Sequence, residues 1–362
     1  MVTSKESRQT TIRVDDVSSA IEYCYAAGWT DGLPVVPPTV ALVDAMLDAV
    51  EIDPMTVIGE HVTTRRSCTA HAAAVNAVMA GCLPSHFPIV IAAMKAMSKT
   101  GFNYHGSTAS TGGSSHLIVV SGPITDEIGM NATGNLFGSG NRANAAIGRT
   151  IRLIHLNVFH MQPNVTDKST QGNPGKYSLC VAERSDRNPW PLLNEELGYP
   201  DESVVIAFAA GGFHNVENHF AATPEQALLT MADSMSCLDS LTHGQSVVVL
   251  SPETAEIVAA DPSWTKSRVQ NFLFENAYRE NEALRRIGRP TDTDDDRAKY
   301  QFSNDELKEG LTDRYHRGLS ADDILLFVGG GDAGAHSSFL PSWSRGRNSI
   351  MQSEIIKPIK KG

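Results

Sequence analysis

Three runs of apolar residues in the second half of the chain constrain its fold most strongly. They are SVVIAFA at 203–209, SVVVLS at 246–251 and DDILLFVGGG at 322–331. A strand that is exposed on one face alternates apolar and polar residues, whereas these runs are apolar almost throughout, which is typical of strands covered on both faces. Helix-start signals stand between them. We therefore predict an α/β fold whose C-terminal part is a mostly parallel sheet with helices on both faces.

The first half of the chain has a different pattern, which predicts a helix-rich α+β arrangement. Residues 142–157, RANAAIGRTIRLIHLN, follow a glycine-rich loop and have helical spacing. Thr39 and Thr69 each precede an apolar helical pattern, and a threonine hydroxyl at that position can cap a helix. The apolar run HLIVVSG at 116–122 predicts a buried strand.

A proline-bearing connector separates these two patterns. It reads NPWPLLNEELGYP and spans residues 188–200. We therefore expect two lobes, an N-terminal one at 16–190 and a C-terminal one at 200–362. The acidic stretch near 289–305 lacks the glycine and the terminal glutamate of a calcium-binding loop and is interpreted as a solvated insertion in the second lobe.

Composition excludes several classes of partner. The chain has 362 residues and a formal net charge of −11, and it has no long basic stripe, which argues against a nucleic-acid partner. No apolar stretch reaches the 18 or so residues of a membrane span, and no secretory signal is legible. An odd number of scattered cysteines is typical of a reducing cytoplasm, where we expect the protein to reside. The five cysteines are Cys24, Cys68, Cys82, Cys180 and Cys237.

A glycine-rich loop that runs into a helix start is the first candidate binding site. Gly138, Ser139 and Gly140 lead to Asn141 and Arg142 at the beginning of the predicted helix. Unpaired N–H groups and the helix dipole favour an anion there, and an arginine side chain can add a bidentate contact. We predict that this loop binds an anionic part of a substrate. The alternative is a tight loop whose arginines are solvated or paired with acids.

The loop NYHGSTASTGGSSH at 103–116 is a second candidate, because it combines hydroxyl groups with two histidines. Among these, His105 is our acid/base candidate. The loop contains no G-x-S-x-G elbow, so the pattern by itself does not indicate a serine hydrolase. The alternative is a flexible surface loop. The side chains of the 103–116 stretch that could contact a polar substrate are those of His105, Ser107, Thr108, Ser114, Ser115 and His116.

The glycine-rich stretch GGGDAGAHSSFLPSW at 329–343 is a third candidate. It follows the last predicted strand, and ligands of open α/β sheets bind beyond the carboxyl ends of strands. We therefore expect Asp332 to line a substrate site and His336 to act as an acid or base.

The segment TDGLPVVPPT contains three prolines that hold it extended and so present Asp31 at a fixed place. We predict that Asp31 is a catalytic carboxylate that lines one cleft with Arg142 and His336. The alternative is a rigid crossover between helices in which Asp31 only shapes the Asp-Gly turn.

Cofactor motifs are not legible in this sequence. No dinucleotide, flavin or pyridoxal fingerprint occurs, and neither H-E-x-x-H nor C-x-x-C is present. A divalent-metal site formed by residues that are distant in sequence stays an open alternative. Of the thiols, Cys68 precedes a helix and follows two arginines, whereas Cys82 follows a helix C-terminus, where the dipole disfavours a thiolate. We predict that Cys82 is structural.

Several segments together resemble a bacterial family marked by the signature DGLPVVPPT. These are GWTDGLPVVPPT, NAVMAGCLP, FGSGNRANAAIGR, NPGKYSLCVAE and NPW, and the match covers most of residues 20–190. The later GGGDAGAHSSFLPSW is similar to a stretch of the same family. Its members are often encoded beside, or fused to, small proteins with a UGSC (selenocysteine or cysteine) motif. The resemblance implies thiol or selenol redox chemistry with a UGSC-type partner, since this chain lacks the motif.

The residues together favour an enzyme of hydrolase or lyase type. We expect it to act on a small polar or anionic organic molecule in a cleft between the lobes, and we expect a homo-oligomer. One alternative is a thiol-redox subunit that uses Cys82 or Cys68 with a UGSC-type partner. Another is a non-catalytic ligand-binding or assembly protein.

Overall fold

The computed structural model describes residues 11–238, 240–289, 314–344 and 348–357. The acidic stretch near 289–305 lies outside these ranges, apart from Arg289. The helices are α1 (Val17–Ala26), α2 (Val40–Asp48), α3 (Ala70–Ala80), α4 (Phe87–Ser98), α5 (Tyr104–Ala109), α6 (Ile124–Glu127), α7 (Arg142–Asn157), α8 (Leu193–Glu196), α9 (Pro224–Met235), α10 (Pro252–Ala259), α11 (Lys266–Asn276) and α12 (Asn281–Arg286). The strands are β1 (Val57–His61), β2 (Arg66–Thr69), β3 (Ser115–Ser121), β4 (Cys180–Ala182), β5 (Ser203–Ala210), β6 (His214–Glu217), β7 (Ser246–Leu250), β8 (Tyr278–Glu280), β9 (Arg314–His316), β10 (Ile324–Val328), β11 (His336–Pro341) and β12 (Gln352–Ile356).

Two four-stranded sheets form the centre of the molecule. The first has the strand order β12-β5-β3-β4, and the second has the order β10-β7-β11-β6. The pairs β1-β2 and β8-β9 form separate two-stranded ribbons. The chain thus combines helices with mixed sheets, which confirms the predicted α/β class.

Side chains along the central strands alternate between two cores. In β3, Leu117 and Val119 belong to a cluster that also contains Val249 and Phe327 of the second sheet. The intervening Ile118 packs in a different cluster, with residues of α2, α3, α4 and α7. The opposite face of the second sheet packs on α9, α10 and α11. The two sheets therefore lie face to face, and helices cover both outer surfaces.

The prediction of a mostly parallel C-terminal sheet is wrong. Only the β10–β7 pair of that sheet is parallel, whereas β11 runs antiparallel to both β7 and β6. Helices also cover only one of its faces, because the first sheet covers the other. A continuous apolar run reports burial on two faces, and it carries no information about strand direction or about what covers each face.

The expected division at residues 188–200 does not coincide with the division between the sheets. Strands β5 and β12 both lie beyond that connector, yet β5 pairs with β3 over seven residue pairs and β12 pairs with β5. The C-terminal part of the chain thus completes the sheet begun by the N-terminal part.

Local signals for helices are largely confirmed. Thr39 accepts a hydrogen bond from Leu42 N, and Thr69 accepts one from Ala72 N, so both cap their helices. Helix α7 spans the predicted residues 142–157. The expected loop at 103–116 is different, because its first part forms α5, which Asn103 caps through Gly106 N. Among the described residues, no helix combines the length and apolarity needed to cross a membrane.

Candidate functional site

A small polar pocket gathers most of the chemistry of the first half of the chain. It lies between α5, the start of β3, helix α7 and the turn at 174–176, and it occupies about 330 Å³ including its opening to solvent. The part of the pocket that the centre of a water-sized molecule can occupy is about 20 Å³, which is roughly the room that one ordered water molecule needs. Its lining residues are Ser107, Thr108, Ser114, Ser115, His116, Gly148, Ile151, Arg152, His155, Asp167, Gly175 and Lys176.

Helix α7 provides one wall of the pocket through a regular stripe. Gly148, Ile151, Arg152 and His155 line it, at spacings of three and four residues. Such positions share one face of a helix, so Arg152 and His155 both point into the same space.

Two cations in the pocket share one carboxylate. Lys176 Nζ lies 2.7 Å from Asp167 Oδ2, and an Arg152 guanidinium nitrogen lies 3.6 Å from the same oxygen. Asp167 Oδ1 accepts hydrogen bonds from the backbone N–H and the hydroxyl of Ser169. Burial opposes the charge of Asp167, but hydrogen bonds from Lys176 and Ser169 outweigh it and lower its pKa. Asp167 is the one acid among the described lining residues, so this group of three carries a net positive charge.

Two histidines lie beside this positive group. The rings of His116 and His155 are 4.8 Å apart and nearly perpendicular. Burial, and then the charges of Arg152 and Lys176, lower the pKa of His116 to about 3. Burial, then His116 and Arg152, lower the pKa of His155 well below its usual value. Both imidazoles are therefore neutral at neutral pH.

Tyr104 fixes the orientation of His155. Its hydroxyl lies 2.8 Å from His155 Nε2, and burial raises the pKa of Tyr104 well above its usual value. The phenol therefore keeps its proton at neutral pH, and its contact with Nε2 holds the His155 ring in place. His61 also packs against Tyr104, and burial, followed by the charge of His105, lowers the pKa of His61 to about 4.

Serine and threonine hydroxyls complete the polar lining, and those of Ser107 and Ser114 have distinct environments. Ser107 Oγ lies 2.9 Å from His116 Nε2. Ser114, only 2 % exposed, has a hydroxyl without a hydrogen-bond partner among the described residues. A buried hydroxyl without a partner costs free energy, so a bound molecule with a polar atom at this place would be stabilised.

Asp31 lies outside this pocket and has a partner of its own. Its carboxylate accepts two hydrogen bonds of 2.8 Å from Arg149, the residue three positions before Arg152 on α7. Its side chain is only 4 % exposed. Because Arg149 donates to both carboxylate oxygens of Asp31, the ion pair orients the proline-containing loop on α7. The expected catalytic role of Asp31 finds no support in this geometry.

The glycine loop before α7 is held by its own side chains. Asn141 caps the helix at Asn144 N, and Asn135 donates to the carbonyl of Ser139. A side chain at Gly138 would collide with Asn135. The Arg142 Nε donates to the carbonyl of Gly81, 2.9 Å away. Anion binding by Gly138, Ser139, Gly140, Asn141 and Arg142 stays a prediction.

The remaining expected site residues lie in separate places. His105 is exposed on α5, beside His61 and away from the pocket lining. His336 begins β11, where its Nδ1 lies 3.0 Å from Asn215 Nδ2. Asp332 forms ion pairs with Arg184 and Arg187. Among the described residues, no hydrogen bond, ion pair or ring contact joins Asp31, Arg142 and His336, and a single cleft lined by all three stays a prediction.

The pocket contains residues that the sequence analysis did not select. Arg152 and His155 were recognisable from the stripe that they form on α7 with Gly148 and Ile151. Lys176 follows the Asn-Pro-Gly turn and carries no separate signal. Asp167 lies in an irregular segment, and only the tertiary structure brings it to the two cations.

The cysteine side chains are poor candidates for reactive thiols. Cys68 and Cys82 are both buried, and burial raises the pKa of each thiol to about 12. Cys82 also lies 3.3 Å from the Thr150 hydroxyl. This environment agrees with a structural role for Cys82, which stays a prediction until it is tested by substitution.

A wider groove beside α1 and α2 has a different character. It occupies about 1490 Å³ including open solvent, and its lining is mostly apolar. Its polar members include the helix caps Asp16 and Thr39, and also Asp44 and His71.

No group of three or more His, Cys, Asp or Glu side chains in the described ranges is arranged to hold a metal ion. No protein-family model matches the chain, and no curated protein matches it significantly. The function is therefore inferred from the geometry of the pocket.

Proposed function

We propose that the protein is an enzyme of hydrolase or lyase type that acts on a small anionic organic molecule by acid/base chemistry. The site is the pocket between α5 and α7. The observation that carries the proposal is the placement of two neutral imidazoles beside two cations that share one carboxylate.

The charges of the pocket favour an anionic ligand. Arg152 and Lys176 supply two positive charges, and Asp167 supplies one negative charge. The cluster is largely removed from water, and its excess positive charge is only partly solvated. Burial is the main cause that lowers the pKa of Arg152, which shows how costly that charge is. A carboxylate in the pocket would offset this cost and gain charge-assisted hydrogen bonds.

The histidines are suited to take a proton once such a ligand is bound. A general base must be unprotonated before the reaction, and His116 meets this condition through burial and the neighbouring cations. An anion between Arg152 and Lys176 would cancel part of their effect and so raise the pKa of His116, while burial, the larger cause, would continue to lower it. Substrate binding would thus strengthen the base that the reaction needs.

The alternative functions predicted from the sequence have less support than an acid/base enzyme. The raised pKa values of Cys68 and Cys82 do not favour a thiol-redox subunit. A non-catalytic binding protein would use the same cations, but its ligand affinity would be the only property to change when His116 is replaced. A homo-oligomeric state and a UGSC-type partner stay predictions.

Binding of small carboxylates tests the proposal. We would titrate acetate, malonate and succinate by calorimetry at low ionic strength into wild-type protein and into the variants Arg152→Gln and Lys176→Met. Each variant should weaken binding of the best carboxylate roughly 10- to 100-fold, because a hydrogen bond to a charged group contributes about 1.5–3 kcal/mol.

A matched control is Lys168→Met. Lys168 lies in the same irregular segment as Asp167, but its Nζ donates to the carbonyl of Asn164 outside the pocket. This variant should bind carboxylates as wild type does. Equal affinity in wild type and in correctly folded Arg152→Gln and Lys176→Met proteins would contradict the proposal.

A further inference from the structure

The contact between Ser107 and His116 has the geometry of a nucleophile and its base. Ser107 Oγ lies 2.9 Å from His116 Nε2, within the range of a good hydrogen bond. The same hydroxyl can donate to the Tyr104 carbonyl, 3.1 Å away. A serine hydroxyl has one proton, so the two acceptors compete for it. With the proton directed at the neutral His116, the Ser107 oxygen is activated for attack.

The surroundings of Ser107 contain the other parts that acyl transfer requires. Arg152 and Lys176 can hold a carboxylate of the substrate. Asp167 lies close enough to raise the pKa of His116, and so it stabilises an imidazolium when His116 gains a proton. The buried Ser114 hydroxyl has no hydrogen-bond partner among the described residues and lines the same pocket. A hydroxyl that is already desolvated can donate to the negative oxygen that develops on an attacked carbonyl.

We propose that Ser107 is a nucleophile that forms an acyl-enzyme and that the pocket hydrolyses an ester or amide of a small molecule carrying a carboxylate. This inference rests on the proposed function and narrows it to the hydrolase type. It assigns His116 as the general base, Ser114 as a donor to the developing oxyanion, and Arg152 with Lys176 as the carboxylate anchor.

The proposed reaction proceeds in two balanced steps. Ser107 Oγ forms a bond to the acyl carbon while its proton moves to His116 Nε2. The bond from the acyl carbon to the leaving oxygen or nitrogen then breaks, and the leaving group takes the proton from His116. In the second step a water molecule attacks the acyl carbon and gives a proton to His116. The bond to Ser107 breaks, His116 returns the proton to Oγ, and a carboxylic acid is released.

Covalent labelling tests this assignment directly. We would treat the full-length protein with methanesulfonyl fluoride, a small reagent that sulfonylates activated serines with loss of fluoride. Intact-protein mass spectrometry should show a single adduct, and peptide mapping should place it on Ser107. Ser107→Ala should show no adduct, and His116→Gln should label at least tenfold more slowly. A saturating small carboxylate should slow the labelling of wild type by occupying the same pocket.

Ser110→Ala is the control, because Ser110 lies on the same loop but bonds Trp343 outside the pocket. It should label as wild type does. Peptide mapping of the wild-type protein needs no variant, so the test holds even if Ser107→Ala folds poorly. An adduct on another residue, or none on Ser107, would overturn the acyl-enzyme. Retained carboxylate binding in that case would leave the proposed function intact as a lyase, whereas loss of both would reject both.

Discussion

Asp31 and Arg149 are joined by two parallel hydrogen bonds of 2.8 Å, and this pair connects the proline-rich loop to the helix that carries the pocket. The same guanidinium also donates to the carbonyls of Leu33 and Pro34. Arg149 therefore recognises both the side chain and the backbone of the turn. Because Arg152 and His155 follow on α7, the loop positions the pocket from outside it.

Replacement of Asp31 by asparagine should lower the free energy of unfolding by about 3 kcal/mol, since one member of a buried ion pair would lose its partner. Urea unfolding at pH 7 measures this loss. The matched control is Asp233→Asn, which breaks an exposed pair with Arg279 and should cost less than about 1 kcal/mol. If both variants lose the same small amount, Asp31 is not the structural anchor described above.

His86 should make stability depend on pH. It is 1 % exposed, its Nδ1 accepts a hydrogen bond from Leu83 N, and burial, then the charge of Arg142, lower its pKa to about 4. The unfolded chain binds a proton at this residue near pH 6.5, whereas the folded protein does not until about pH 4. The unfolded state therefore holds more protons between these values, so stability falls as the pH is lowered through this window.

The variant His86→Asn keeps an acceptor for Leu83 N and removes the titration. Between pH 7 and pH 5, it should lose about 2 kcal/mol less stability than wild type, from roughly 1.4 kcal/mol for each unit of pKa shift. Urea unfolding of both proteins at the two pH values gives this difference. Parallel losses in the two proteins would show that His86 gains its proton equally in the folded and unfolded states.

Gly148 should be intolerant of a side chain. A Cβ atom there would collide with Ser178 Oγ and lie 2.8 Å from Leu179 N, because α7 packs closely on the segment that enters β4. We expect Gly148→Ala to lower the free energy of unfolding by about 2 kcal/mol, as overpacking of a core does. Carboxylate binding should weaken too, since Arg152 and His155 would move with the helix. Gly212→Ala is the control, because nothing lies within 4 Å of its Cβ, and it should unfold as wild type does. Wild-type stability in Gly148→Ala would mean that this contact relaxes freely.

The local features of this fold were predictable from the sequence. Caps at Thr39 and Thr69 were legible because a hydroxyl before an apolar helical pattern has a specific hydrogen-bonding role. Burial of β5 and β7 on both faces was legible from their continuous apolar residues. The pairing of these strands could not be predicted, since an apolar strand pairs equally well with many partners and its sequence does not encode its direction.

The candidate site was predictable only in part. The loop with Ser107 and His116 was selected because it combined hydroxyls and imidazoles. Asp31 was selected for its rigid loop, but rigidity there serves an ion pair, and a sequence does not distinguish a positioned carboxylate from a paired one. Lys176 and Asp167 meet the histidines only through tertiary packing, so no local pattern could have assigned them.

The place of β12 at the edge of the first sheet has a consequence for biosynthesis. Strand β5 ends at Ala210, whereas its neighbour β12 begins at Gln352. At a translation rate of roughly 5–20 residues per second, β5 waits on the order of 10–30 s for this partner to be synthesised. During that time its outer edge offers unpaired backbone groups to any other extended chain. The nascent protein is therefore most vulnerable to misassembly after both sheets have begun to form and before β12 is synthesised.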